Sequence, residues 1–341
     1  MYDFGNANIS YKQAAQKKRF KKEVLAFSMV KEEELIRACE EIRDLTYSQG
    51  EYRIFKVWEP KERLIMALPF YDRVVQHMIV NEIYPVFERG FYYHSYACRK
   101  GKGTHSASNQ LSQWLYELCV KEGKRIYAFK GDVSKYFASI PHDRLKDENR
   151  RYIGDKKALW LMDDIIDHNG ILPPGVGIPV GNLTSQLFAN VYGNRLDKFC
   201  KHTLHIKPYI RYMDDFVILS DNLDQLKEWR KRIEEYLEIE MLLHINPKST
   251  ILYAGNGIDF CGYKHWQDHK KVRKASVRRL KKDVKNYEAG KITAEEYNRK
   301  YESRKGHMGH ADTFHITKAI EYELLFWEYE KQEGSLYLQG T

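Results

Sequence analysis

The sequence predicts an α+β fold, on three observations. Short β-rich runs recur at 52–58, 64–68, 126–133 and 209–219, and between them apolar residues return every three or four positions, the period of an amphipathic helix. From Lys264 onward the composition turns basic and helical, so a mixed region precedes an all-helical one.

Each element has its own signal. The first fifty residues are polar and basic around Lys17-Lys18-Arg19-Phe20-Lys21-Lys22 and become helical through Glu34-Leu35-Ile36 and Ile42, a pattern read first as a solvated helix face. Tyr52 to Trp58 alternates as a strand, Glu59-Pro60-Lys61 breaks it, and a second strand runs through Leu64 to Leu68. Asp72 is the expected N-cap of a helix from Arg73 through Val75, Ile79, Ile83 and Phe87. Next, the basic glycine loop from Tyr96 to His105 opens a helix through Leu111, Leu115 and Leu118. It is not a phosphate-cradling Walker A loop, because no Ser or Thr follows Gly101-Lys102 and no earlier Gly stands at the required spacing. Ser185 and Gln186 begin a helix containing Leu187, Phe188, Val191 and Leu196, and Asp221 or Asn222 starts another through Leu226, Trp229, Ile233, Tyr236 and Leu237.

The chemistry concentrates in Tyr212-Met213-Asp214-Asp215. Apolar runs flank it on both sides, so it reads as the tip of a β-hairpin carrying two adjacent carboxylates. Such oxygen ligands suit Mg²⁺, which binds through one or two carboxylates plus substrate phosphates, and a further acid is therefore expected from elsewhere. Asp132, closing the β-like run Ile126 to Val133, is that candidate. Two metals about 3.5–4 Å apart between Asp132 and Asp214 would activate an attacking hydroxyl and stabilise leaving pyrophosphate, with Asp215 completing the site. Taken alone, the Asp-Asp pair also fits a polar turn with no chemistry.

These blocks occur in the order seen in reverse transcriptases, which the chain resembles over nearly its whole length. The resemblance implies RNA-templated DNA synthesis with two Mg²⁺ ions, for which Mn²⁺ can substitute, and Val133 adding a backbone ligand. It implies a right-hand polymerase fold: an N-terminal extension over 1–50, fingers over 51–106 and 141–184, a palm over 107–140 and 185–262, and a basic helical thumb over 263–341. Lys61 and Arg63 are assigned to the incoming triphosphate, where a cation offsets charge developing on pyrophosphate. Arg99 and Lys100 would meet template or triphosphate at a helix N-terminus. Phe137, five residues after Asp132, is placed as a steric gate against a 2′-hydroxyl, with Tyr136 competing for the role. Lys248 falls near substrate phosphate, and Tyr212, Met213, Gly262 and Tyr263 lie along template and primer. Arg278 and Arg279 would grip their backbones, making binding steeply salt-dependent.

The block Gly177-Ile178-Pro179-Val180-Gly181-Asn182-Leu183-Thr184-Ser185-Gln186 narrows the resemblance. Many reverse transcriptases carry Gln-Gly at the Val180-Gly181 position and Ser-Pro at Ser185-Gln186. An aliphatic residue before Gly with Ser-Gln closing the block is similar to the enzymes of diversity-generating retroelements, which misincorporate opposite template adenines. Val180 removes hydrogen-bonding capacity beside the nascent base pair, and Gly181 permits close approach of backbone to substrate. Gln186 belongs to the same nucleotide-binding set. Such an enzyme is expected to act on dNTPs, a structured template RNA, a primer and nascent cDNA, with a small basic oligomeric accessory protein; the basic N-terminal run offers one docking place. Retron enzymes carry Val-Thr-Gly where this chain has Cys261-Gly262-Tyr263. Group II-like, abortive-infection and CRISPR-associated enzymes stay open as alternatives, as does a catalytically idle RNA-binding scaffold.

Composition agrees with a polyanionic partner. The 341 residues carry a net charge of +9 and a pI near 9.0, a balance shared by ribosomal and membrane-surface proteins. Cys39, Cys98, Cys119, Cys200 and Cys261 are scattered without a Cys-x-x-Cys pair, which argues against a disulfide framework or zinc knuckle and for a reducing cytoplasm. His265 with His269, and His307 with His310, lack the Cys or carboxylate partners of a zinc site. No apolar run reaches the roughly 18–20 residues of a membrane span, so no membrane partner is expected.

Overall fold

The structure, a computed structural model, describes residues 2–58 and 62–338; Lys61 lies outside the described residues. In chain order the elements begin with α1 (Phe4–Ala15), α2 (Lys22–Met29) and α3 (Lys31–Arg43), then β1 (Arg53–Trp58), β2 (Glu62–Ala67), α4 (Phe70–Gly90) and α5 (Thr104–Leu115). After β3 (Tyr127–Asp132) come α6 (Tyr136–Ser139), α7 (His142–Arg150), α8 (Lys156–Asp167) and α9 (Leu183–Lys198). The hairpin strands β4 (Tyr209–Tyr212) and β5 (Asp215–Ser220) precede α10 (Leu223–Ile239) and β6 (Thr250–Tyr253). The chain continues through β7 (Ile258–Phe260), β8 (Tyr263–His265), β9 (Lys270–Val272), α11 (Lys274–Glu288), α12 (Ala294–Met308) and α13 (Phe314–Leu338). This is the α+β mixture expected, with antiparallel pairing in the β1–β2, β4–β5 and β7–β8–β9 ladders.

Strands β4, β5, β3 and β6 lie side by side in that order. The sheet is buried because β5 is apolar over Phe216, Val217, Ile218 and Leu219, all almost fully covered. Gly131 in β3 is required by this packing: the Phe216 ring fills the space a Cβ would take.

By compactness the chain forms two units. The first comprises Met1–Gly103, Phe129–Ile218 and Asp224–Thr250. Its α9 is buried along most of its length, and polar residues there bond to backbone instead of solvent: the Asn194 amide donates to Gly90 O (3.0 Å) and its Oδ1 accepts from Tyr92 N–H (3.0 Å). The small residues Ala7, Ala14 and Ala15 bury one face of α1, and Asn6 Nδ2 donates to Met78 O of α4 at 3.0 Å. The second unit comprises Thr104–Ala128, Leu219–Leu223 and Ile251–Thr341. Its core joins Tyr263, Val272, Leu280, Val284, Tyr297, Met308 and Ile320.

Three sequence expectations are corrected. Asp72 is not an N-cap: α4 starts at Phe70 behind Pro69, and the buried Asp72 carboxylate accepts from Tyr47 OH (2.7 Å) and Gly50 N–H (3.1 Å). Helix α9 starts at Leu183, two residues before Ser185. Residues 263–272 form β8 and β9 before any helix; Tyr263, His265 and Val272 point inward between outward lysines, a period of two that the basic composition hid.

Candidate active site

Strands β4 and β5 pair with Tyr212 opposite Asp215, leaving Met213-Asp214 as a two-residue hairpin loop. Met213 has φ 59°, while Asp214 is not in the left-handed region. A positive φ at the first loop position alone matches a II′ turn, which normally uses Gly there. A β-carbon in that conformation costs on the order of 1–2 kcal/mol, so other contacts must hold the turn.

Arg211 supplies them. This side chain is 1% exposed and spends its donors locally: Nε and Nη2 on the two oxygens of Asp197 (2.7 and 2.6 Å), Nη2 also on Ser95 Oγ (3.1 Å), and Nη1 on the Met213 carbonyl (2.9 Å). Tyr209 OH also donates to Asp197 Oδ1 (2.7 Å). A buried ion pair is tolerable only when each group is satisfied in this way. Gly193 makes room for it, since a Cβ there would stand 2.6 Å from Arg211 Nη1 and 2.9 Å from Tyr136 OH. Neither Arg211 nor Asp197 was foreseen as functional. The signal was a lone cation inside an apolar strand, and a lone acid on the buried face of a helix.

Asp132 ends β3, and its neighbour Val133 donates N–H to the Asp214 carbonyl at 3.3 Å, which brings the two predicted acids to adjoining strands. Asp132 is oriented from the segment after α10: Asn246 Nδ2 donates to Asp132 Oδ2 (2.7 Å), Asn246 N–H to Asp132 O (2.7 Å), and Asp132 N–H to Ser249 Oγ (3.0 Å). Asn246 is therefore a further residue that sequence reading missed. Lys130 Nζ lies 3.5 Å from Asp215 Oδ1.

The Asp214 carboxyl is pushed up to about 6, first by burial and then by the negative charges of Asp132 and Asp215, with a hydrogen bond from its own backbone and then Arg63 opposing. Carboxylates that repel one another in a half-buried niche are a donor set for a hard divalent cation. Among the described residues no group of three His, Cys, Asp or Glu side chains is arranged as a ready-made metal cage. Of the expected ligands, Asp132 and Asp214 lie on adjoining segments joined by the Val133 N–H to Asp214 O bond, with Asp215 next in the chain.

Other predicted residues divide into those that face open space and those that do not. Arg99, Lys100, Gln186 and Tyr212 line one cavity of about 490 Å³, joined by His77 and Lys102. Burial pushes Lys102 down to about 8, with Arg99 adding to the effect. Within that cavity Arg99 is not an available ligand: it is held by Glu88 (2.6 Å) and by the carbonyls of Tyr92 (2.6 Å) and Ser95 (2.7 Å). Lys100 is exposed. Arg63, on β2, is exposed and close enough to Asp214 to oppose its upward shift. Phe137 is half-buried, whereas Tyr136 is core, with its OH donating to Ala189 O at 2.7 Å, so of the two only Phe137 keeps exposed ring surface.

Gly181 (φ 125°) serves a close approach, but to protein: a Cβ would lie 3.1 Å from Met66 O, and Met66 N–H donates to Val180 O (3.2 Å). Val180 is half-buried and Lys248 is exposed, with its N–H on Asn246 Oδ1 (3.0 Å). In the second unit, Tyr263 is buried, its OH within 3.0 Å of His105 Nδ1 and His307 Nδ1, which removes it from a primer-contact role. Gly262 (φ 90°) faces the His307 ring, and Arg278 and Arg279 are exposed on α11.

Comparison with known proteins decides the family. The model for "Reverse transcriptase (RNA-dependent DNA polymerase)" matches residues 56–265, well over half of the chain and inclusive of Asp132, Asp214 and Asp215. The chain belongs to the reverse transcriptase family. Protein YkfC of Escherichia coli K12 is 25% identical over 244 residues, covering 60% of this chain and 62% of that protein. An uncharacterized 91 kDa protein in the cob intron of Schizosaccharomyces pombe is 26% identical over 136 residues, 38% of this chain and 16% of that one. The chain thus spans less than two thirds of the length of these curated relatives. Among solved structures, a telomerase from Candida albicans in complex with a TWJ fragment of telomeric RNA shares the fold at TM-score 0.51 and 11% identity, covering 84% of this chain and 60% of that one.

Proposed function

We propose that this reverse transcriptase domain copies template RNA into cDNA using dNTPs and Mg²⁺. The observation that carries the reading is the convergence of Asp132, at the end of β3, and Asp214, in the adjoining hairpin loop, where burial and then the charges of Asp132 and Asp215 raise the Asp214 carboxyl. Bound divalent ions would supply Lewis-acid activation of the primer hydroxyl and charge neutralisation on the leaving pyrophosphate. The chain's own residues do the positioning: Asn246 orients Asp132, Arg211 fixes the turn bearing Asp214, and Lys130 neighbours Asp215. Arg63 places a cation toward the triphosphate, and Phe137 stands as the bulk that screens the sugar. In this reading β1 and β2 belong to the fingers, β3 to β6 to the palm, and α11 to α13 to a thumb whose Arg278 and Arg279 meet nucleic-acid backbone.

The finer reading is a diversity-generating retroelement enzyme with misincorporation at template adenines, acting with a basic accessory protein. It is supported by Val180-Gly181 and Ser185-Gln186, where Val180 cannot offer the side-chain hydrogen bonds of Gln. A second reading, an accurate group II-like enzyme, is favoured by the similarity to an intron protein.

Primer extension on RNA with Mg²⁺ and dNTPs, sequenced by template base, tests both. Asp214-dependent cDNA with errors concentrated at adenines, reduced in Val180→Gln, is expected. Accurate cDNA would shift the assignment to the group II-like reading; no cDNA, with cognate RNA and accessory protein supplied, would leave an RNA-binding scaffold.

A further inference from the structure

The second unit carries a cavity lined by none of the residues of the acidic site. It measures about 420 Å³ and lies between the end of α5 and the β8–β9 hairpin tip, lined by Asn109, Gln113, Tyr116, Trp266, Gln267 and Lys270 among others. Its walls are fixed. Trp266 N–H donates to His269 O (2.8 Å) to close the tip, and the two rings stack with centroids 4.9 Å apart and 7° between planes. Lys270 Nζ donates to Asn109 Oδ1 (2.6 Å) and Ser108 Oγ (3.1 Å), and the buried His265 Nδ1 lies 3.0 Å from Ser112 Oγ. Tyr116 opens a π-helical turn, Tyr116–Lys121, at the end of α5, a departure from helical geometry that recurs at functional sites.

What these contacts leave open has a definite chemistry. Tyr116 is 45% exposed, and among the described residues its hydroxyl and the Gln267 amide have no hydrogen-bond partner. Lys264 Nζ sits 5.1 Å from the Trp266 ring, and Lys271 is exposed on the same hairpin. Of the nearby carboxylates, Asp268 is turned onto His269 Nδ1 at 2.7 Å and Glu117 accepts from Gln113 Nε2 at 2.9 Å. The Tyr116 ring for stacking, the Gln267 amide for a base edge and ammonium groups for flanking phosphate together match a nucleotide of a single strand. A duplex, whose bases are already stacked and paired, cannot offer that face.

We infer that this cavity takes an unpaired base of single-stranded RNA. The inference rests on the reverse transcriptase reading, in which template RNA is the long single-stranded partner while the primer is paired. Binding of fluorescent oligouridine to the full chain tests it. Stacking on an aromatic side chain is worth about 1–3 kcal/mol per base, so Tyr116→Ala should weaken binding by about tenfold, and Tyr116→Phe should retain most of the affinity. Gln267→Ala, at the hairpin tip, provides a second variant should Tyr116→Ala unfold. Cross-linking with 4-thiouridine should map to Tyr116 or Trp266. Unchanged affinity in folded Tyr116→Ala and Gln267→Ala, or tighter binding of oligothymidine than of oligouridine, would overturn the assignment. A wild-type chain that binds oligouridine through Tyr116 yet extends no primer would support this site while removing the polymerase reading.

Discussion

At the scale of single residues, burial makes the acidic cluster costly to ionise. Asp214 has a folded-state carboxyl raised to about 6, chiefly by burial. The folded chain therefore binds that proton more tightly than the unfolded chain does. Its stabilising contribution is complete below the ordinary carboxylate value near 4 and is lost as pH rises through about 6. At neutral pH the ionised group costs on the order of 2–3 kcal/mol without metal. Asp214→Asn should accordingly raise the melting temperature of metal-free protein at pH 7.5 by several degrees while abolishing primer extension. Mg²⁺ should stabilise the wild type more than this variant. A lower melting temperature for Asp214→Asn would show that the carboxylate is held by favourable contacts and is not strained. Asp132, Asp214 and Asp215 were legible because their spacing within short apolar runs is local. Arg211, Asp197 and Asn246 were not, because what they do depends on partners that only folding brings near.

At the scale of elements, two glycines set how closely backbone can approach the site. Gly193 on α9 leaves space for the Arg211 guanidinium, and Gly131 on β3 lies under the Phe216 ring. Overpacking a filled interior typically costs about 1–3 kcal/mol. We expect Gly193→Ala and Gly131→Ala each to lower urea-unfolding stability by that amount. Gly193→Ala should also reduce primer extension, because a displaced Arg211 releases the Met213 carbonyl. Stability equal to wild type in Gly193→Ala would mean that α9 shifts without disturbing the turn. The strands and most helices were readable from periodicity. The β8–β9 hairpin was missed, since alternation of lysine with inward Tyr263, His265 and Val272 resembles a basic helix when composition is read without register.

At the scale of the whole molecule, the charge of +9 favours a polyanion, and its expression should be salt dependence. Arg278 and Arg279 are exposed on α11, so replacing both with Gln should weaken binding to a primer–template and reduce the slope of log affinity against log salt by about 1–2. An unchanged slope would place the nucleic acid elsewhere. Among the described residues no helix is long and apolar enough to cross a membrane.

The sequence by itself determined the α+β class, the acidic hairpin, the family resemblance and the basic character, because each rests on local spacing or on composition. Only the tertiary structure decided which residues are free to act. Arg99, Tyr136 and Tyr263 carry chemistry suited to a ligand, yet folding commits them to Glu88, Ala189 and His307. Availability depends on long-range hydrogen bonds and burial, and no local pattern encodes either.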